Sequence, residues 1–144
     1  MKEFEKFKMF LVDDDPFFLM LLEQSFQNLG ITEIDTFSNG AECLNHLHEN
    51  PEVIFLDYNM DNLTGYEVLK KIKRYDPDIF VILVSAQKDI KPAVDSLKHG
   101  AFDYIQKSDD TMNQVESVLK KIVEVKQLIE KRKPTVIQRM FKVS

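Results

Sequence analysis

Three short runs of the chain are apolar at nearly every position: Met9-Phe-Leu-Val12, Val53-Ile-Phe-Leu56 and Ile79-Phe-Val-Ile-Leu-Val84. A strand with one wet face alternates apolar and polar residues. Unbroken runs this short instead predict strands buried on both faces, as in a parallel sheet covered by helices. Longer amphipathic stretches follow each run, and the alternation occurs five times. The pattern predicts strands over 7–13, 31–36, 52–57, 79–85 and 102–106. Helices are predicted over 16–29, 39–49, 65–75, 89–98 and 110–132. Ile31-Thr-Glu-Ile-Asp-Thr-Phe37 does alternate and predicts a more exposed strand. Asp15-Pro16 reads as an N-cap followed by proline at the first helical position, and Gly30 and Gly100 stand where helices should stop. Right-handed crossovers then give an α/β fold, a doubly wound five-stranded parallel sheet of (βα)5 type.

The polar residues at the ends of these runs carry the functional argument. Asp13-Asp14-Asp15 follows the first run, Asp57 the third, Ser85 the fourth and Lys107 the fifth. With strand order 2-1-3-4-5, strands 1 and 3 are neighbours at the topological switch point, where ligands bind outside the carboxyl ends of a parallel sheet. Asp15 belongs to the helix cap, which leaves Asp13, Asp14 and Asp57 facing one crevice. Two carboxylates about 4 Å apart repel by roughly 4 kcal/mol at an effective dielectric near 20, so three of them call for a cation. An oxygen-only donor set suits Mg²⁺ or Mn²⁺. An ammonium from Lys107 and a hydroxyl from Ser85 beside Asp57 complete a group able to stabilise a transferring phosphoryl.

Composition narrows the setting. The 144 residues fit one globular domain, a single Cys43 rules out an internal disulfide and fits a reducing cytoplasm, and no run is long enough for a membrane span. Eight basic and two acidic side chains stand between residues 120 and 144, which leaves residues 1–119 at −11 within an overall charge of −5. An acidic body of that kind argues against nucleic acid as a direct ligand. The division expected is 1–125 as the domain and 126–144 as an extension of the last helix with a short basic tail. Val115, Val118, Ile122, Val125 and Ile129 form a stripe at helical spacing, the first half packing on the sheet and the rest reading as a long helix or a linker to an output domain, with a dimer or partner contact as the alternative. Pro134 should end that helix. Val136, Ile137, Met140 and Phe141 stand at helical spacing beyond it and suit docking onto this or another molecule.

Four segments together resemble the receiver domains of two-component response regulators: Phe10-Leu-Val-Asp-Asp-Asp-Pro16, Val53-Ile-Phe-Leu-Asp57 with Gly65, Ile82-Leu-Val-Ser-Ala86 and Gly100-Ala-Phe-Asp-Tyr-Ile-Gln-Lys107. The resemblance covers residues 7 to about 125 and implies a flavodoxin-like fold. It implies Asp57 as phosphoacceptor and Asp13 and Asp14 as the acidic pair at the Mg²⁺ site, with Asn59 adding its backbone carbonyl. Ser85 matches the switch hydroxyl, Tyr104 the switch aromatic and Lys107 the phosphate-binding lysine. A histidine kinase or histidine phosphotransfer protein would donate the phosphoryl group. A downstream protein or a second copy would read the helix 4–strand 5–helix 5 face. On this view the chain is a cytoplasmic switch rather than an enzyme, beyond possible self-dephosphorylation. Two positions depart from the pattern. Ser108 replaces the usual proline after the lysine, so a looser loop is expected, and Asp61 replaces a proline near the pocket mouth.

Rival readings fail on single residues. Asp57-Tyr-Asn59-Met-Asp61 begins like a calcium loop, but Asn62 stands for the turn glycine and Val68 for the bidentate glutamate. An aspartate-nucleophile phosphatase would need an acid two residues after Asp57, and Asn59 cannot transfer that proton. A phosphorylation-independent pseudo-receiver would not need the full set of groups present here. His46 and His48, two apart on a helix, should not share a face, and His99 is remote in sequence. Cys43, Leu44 and Leu47 read as the buried side of the second helix, and Phe17-Phe18 as cover for a docking surface.

Overall fold

A computed structural model describes Phe4 and residues 6–132. The elements run β1 (Lys8–Val12), α1 (Pro16–Asn28), β2 (Glu33–Phe37), α2 (Gly40–Asn45), β3 (Val53–Asp57), α3 (Gly65–Tyr75), β4 (Phe80–Ser85), α4 (Ile90–Lys98), β5 (Asp103–Gln106) and α5 (Thr111–Arg132). All four strand pairings are parallel and the order is β2-β1-β3-β4-β5. The doubly wound fold expected from the apolar runs is the one formed. Expectations about residues beyond 132, including the helix stop at Pro134 and the docking stretch Val136–Phe141, lie outside the described residues.

The unbroken apolar runs are explained by the two sides of the sheet. Met9, Leu11, Val53, Phe55, Ile82 and Val84 point into one core, where they meet Phe26 of α1 and Val115, Leu119 and Ile122 of α5. Phe10, Val12, Ile54, Leu56, Val81 and Leu83 point into the other, against Cys43 of α2 and Val68, Leu69 and Ile72 of α3. Each such side chain contributes about 1.5–3 kcal/mol when fully buried, and the central strands contribute on both faces. β2 lies at the sheet edge and keeps three of its five residues exposed, in line with its alternating sequence.

Local chemistry sets the ends. Asp15 accepts a hydrogen bond from the Phe17 N–H at 3.0 Å, and Pro16 opens α1. Gly30 and Gly100 follow α1 and α4 with φ of 95° and 99°, in the left-handed region where a side chain would be strained. Two elements differ from expectation by more than one residue at an end. β2 starts at Glu33 rather than 31, because the Ile31 N–H still closes the end of α1 by donating to the Phe26 carbonyl. The second helix is not continuous over 39–49. It breaks at His46, where Nδ1 bonds the Glu42 carbonyl, and resumes as a 3₁₀ turn over Leu47–Glu49. That break brings the His46 and His48 rings to 6.1 Å, nearly parallel, so the expectation that they diverge holds only for an unbroken helix.

Candidate functional site

Val12 pairs with Leu56, which sets Asp13 beside Asp57 where β1 and β3 leave the sheet. The Asp13 N–H donates to the Phe37 carbonyl of β2, which fixes the backbone at that exit. Asp13 and Asp57 are buried, while Asp14 is exposed. One carboxylate oxygen from each of the three lies within 4.8 Å of the others, and this is the one such group of potential metal ligands among the described residues. The loop leaving Asp57 is held tightly. The Asn59 N–H donates to Asp57 Oδ1 at 3.4 Å, the Tyr58 N–H to the Val84 carbonyl, and the Gly65 N–H to the Tyr58 carbonyl. A Cβ on Gly65 would sit 2.4 Å from the Asp57 carbonyl oxygen, so only glycine lets α3 begin this close to β3.

Lys107 reaches this cluster from the end of β5. Its Nζ hydrogen-bonds Asp13 Oδ2 at 2.9 Å and stands 3.6 Å from Asp57 Oδ1. The lysine is therefore nearer to Asp13 than to the Asp57 it was expected to accompany. The Phe18 ring of α1 lies 4.2 Å from the ammonium and walls that side. Phe18 thus belongs to the pocket, whereas Phe17 is 63% exposed. One ammonium does not balance three carboxylates. Burial first, and then the Asp13 charge, push Asp57 up to about 7, against the pull of Lys107 and the Asn59 N–H; Asp14 raises it further. A divalent cation fits this donor set: three carboxylates, two of them buried, with no histidine or cysteine in the group.

Ser85 ends β4 one residue past Val84, the strand partner of Asp57, and is fully buried. Its Oγ accepts from the Gln87 N–H at 3.0 Å, which leaves the hydroxyl proton to donate elsewhere. Tyr104 packs edge-on against Tyr58 at 6.1 Å, and its hydroxyl is buried without a hydrogen bond among the described residues. A buried polar group in that condition costs about 1–3 kcal/mol.

In place of the proline, hydrogen bonds bridge the loop after Lys107. The Ser108 N–H donates to Thr111 Oγ1 at 2.7 Å, that hydroxyl donates back to the Ser108 carbonyl at 2.8 Å, and Ser108 Oγ accepts from the Asp110 N–H. Thr111 is buried and went unnoticed in the sequence, because threonine stands where the capping-box pattern has glutamate or glutamine. Tyr58 was missed too. His99 does not join a metal group; it meets the Tyr66 hydroxyl at 3.0 Å and ties the end of α4 to α3.

Comparisons with known proteins agree with this geometry. The family model described as a response regulator receiver domain matches residues 9–122. NtrC, a DNA-binding transcriptional regulator of Escherichia coli K12, is 39% identical over 101 residues, which are 69% of this chain and 21% of NtrC. This chain thus spans about a fifth of that relative's length. A protein-glutamate methylesterase/protein-glutamine glutaminase of Archaeoglobus fulgidus is 32% identical over 81% of this chain and 34% of its own. Among solved structures, a CheX–CheY–BeF3–Mg²⁺ complex from Borrelia burgdorferi matches with a TM-score of 0.74 and 28% identity, covering 81% of this chain and 88% of that one. A receiver domain protein from Clostridium thermocellum gives 0.77 and 27%, covering 84% and 97%. The strand order, the carboxylate crevice and the family match together lead to one conclusion: this chain belongs to the response regulator receiver domain family.

Proposed function

We propose that the chain is a phosphoacceptor switch in which Asp57 receives a phosphoryl group from a phosphohistidine on a histidine kinase or phosphotransfer protein. An Asp57 carboxylate oxygen attacks phosphorus, the bond from phosphorus to the imidazole nitrogen breaks, and the histidine keeps that electron pair. The product on this chain is an acyl phosphate. The single observation that carries the proposal is the convergence of Lys107, Asp13 and Asp14 on Asp57 at one strand exit. Asp13, Asp14 and Asp57, with the Asn59 carbonyl, would hold Mg²⁺ or Mn²⁺. When bound, that cation supplies the positive charge that three carboxylates and an incoming phosphoryl group require. The Borrelia neighbour's complex contains BeF3 and Mg²⁺, which supports Mg²⁺ as the ion.

The remaining roles belong to the chain's own side chains. Lys107 moves its ammonium from Asp13 to a phosphoryl oxygen, a short shift given its 3.6 Å distance to Asp57. Ser85 donates its free hydroxyl proton to another phosphoryl oxygen. That draws β4 and its loop toward Asp57 and frees space beside Tyr104, whose hydroxyl gains by finding a partner. The face affected is α4–β5–α5, where Ile90, Val94 and Leu97 are exposed and suit a downstream protein or a second copy. We read residues 1–125 as the signalling unit, 126–144 as an extension, and the setting as cytoplasmic. Among the described residues no helix is long and apolar enough to cross a membrane.

Intact mass with acetyl phosphate and Mg²⁺ tests the assignment. The chain should gain one phosphoryl mass, and Asp57→Asn should gain none. A phosphorylated Asp57→Asn chain would place the acceptor elsewhere, and an unmodified native chain would favour a phosphorylation-independent interaction module.

A further inference from the structure

Helix α4 is attached to the domain more weakly than the helices around it. Helices α1, α3 and α5 each bury at least two large apolar side chains, whereas Ile90, Val94 and Leu97 of α4 are all exposed. The one buried residue of α4 is Ser96, and its Oγ finds no hydrogen-bond partner among the described residues. Among those residues the other buried side-chain polar atom in that condition is the Tyr104 hydroxyl on β5, the strand that α4 leads into. Both unmatched hydroxyls thus fall on consecutive elements, where any rearrangement that supplies a partner is favoured. The amino-terminal end of α4 is not fastened by side chains either. Asp89 forms no side-chain cap, and Lys91 pairs at 2.9 Å with Asp95 of α4 itself. Little apolar burial and unmet hydrogen bonds place an element at the low-stability end of a fold.

What fastens α4 is a contact at its other end. His99 caps the helix there, and its Nδ1 donates to the Asp95 carbonyl at 2.9 Å. Nε2 is then the acceptor, 3.1 Å from the hydroxyl of Tyr66 in the first turn of α3, and the two rings meet edge-on at 5.0 Å. Lys70, one turn along α3, holds its ammonium 4.7 Å from the Tyr66 ring and steadies that side. Tyr66 directly follows Gly65, which rests against the Asp57 backbone, so the path from Asp57 to the end of α4 is short. Resting on the phosphoacceptor reading of Asp57, we propose that the Tyr66–His99 hydrogen bond is a latch that holds α4 in its resting arrangement and weights the switch toward the unphosphorylated state. The bond belongs to one arrangement only, so its loss favours the other by the worth of one hydrogen bond, roughly five-fold. By reciprocity, whatever binds the activated arrangement then binds tighter by the same factor.

Tyr66→Phe in the full chain tests this, because it removes the hydroxyl and keeps the ring that Lys70 faces. The ¹⁵N-labelled protein is titrated with BeF3 in the presence of Mg²⁺, the fluoride complex standing in for the phosphoryl group. In the native chain, the amide signals of Val94, Ser96 and Tyr104 then define a line from the resting to the activated arrangement. Before any BeF3 is added, the same signals in Tyr66→Phe should be displaced along that line, and half-saturation should need about five-fold less BeF3. His99→Ala should act in the same direction, and the double variant should add nothing to the effect of Tyr66→Phe. A contact that merely braces the fold would lower the melting temperature and leave the BeF3 midpoint unchanged or raised, and that result would overturn the latch. Additive effects in the double variant would overturn it too. A native chain whose signals around Asp57 ignore BeF3 and Mg²⁺ would sink the phosphoacceptor reading and the latch together. A responsive native chain with an unmoved Tyr66→Phe midpoint would sink the latch alone.

Discussion

At the scale of single residues, the cost of the acidic pocket falls chiefly on Asp57. Its folded-state value of about 7 lies above the ordinary 3.8, so between those limits the folded chain holds a proton that the unfolded chain has lost. Raising pH through that window therefore destabilises the metal-free protein, and the penalty is complete above pH 7. Asp57→Asn removes the titrating charge and keeps the shape. In EDTA it should raise the melting temperature by several degrees at pH 8, corresponding to about 2–4 kcal/mol, with the gain fading toward pH 4. An equal gain at both pH values would show that something other than this charge is responsible. Cys43 is pushed in the same direction by burial alone, to about 12, and little thiolate forms at neutral pH. Iodoacetamide at pH 8 should leave the native chain unmodified and label it quickly in guanidinium. That Asp13, Asp14, Asp57 and Lys107 converge was legible in the sequence, because each stands at a strand end. The direction of the Lys107 contact was not, since the choice between Asp13 and Asp57 depends on side-chain packing around Phe18.

At the scale of elements, the loop between β3 and α3 shows how closely backbone and site are joined. Gly65 starts α3 while donating to the Tyr58 carbonyl, and any Cβ there meets the backbone of Asp57 and Tyr58 at 2.4 and 2.7 Å. Neither neighbour is a flexible side-chain tip, so the backbone itself must give. Gly65→Ala should cost about 1–3 kcal/mol in chemical denaturation and, by moving Asp57, slow phosphorylation by acetyl phosphate. A variant as stable and as reactive as the native chain would show that the loop has slack. The three central strands were legible because burial on both faces makes their runs unbroken and apolar, and because those runs are too short for a helix. The break in the second helix was not, because Glu42 to His46 reads as helical spacing until the imidazole bonds the carbonyl of Glu42 itself. The start of β2 was misplaced for a related reason: the backbone of Ile31 belongs to the preceding helix end, while its apolar side chain looks like strand.

At the scale of the whole molecule, the sheet separates two tasks. Its middle is apolar on both faces and holds the fold together, while its carboxyl end concentrates charge that works against folding when no cation is present. A cation held by Asp13, Asp14 and Asp57 would bind only where those three converge, and the unfolded chain offers no such convergence. Such binding would add stability as the logarithm of cation concentration, about 1.4 kcal/mol at ten times the dissociation constant. Protons compete for Asp57 below about pH 7, so the cation's effect is larger at pH 8 than at pH 5.5. Mg²⁺ titrated into metal-free protein should raise the melting temperature by a few degrees at pH 8 and by less at pH 5.5, with EDTA reversing both. Asp14→Ala tests the location cleanly, because Asp14 is exposed and its loss leaves the core intact. That variant should lose most of the Mg²⁺ response while its metal-free melting temperature stays near or above the native value. A full Mg²⁺ response in Asp14→Ala would move the cation away from this end of the sheet, and with it the reason three carboxylates are gathered there.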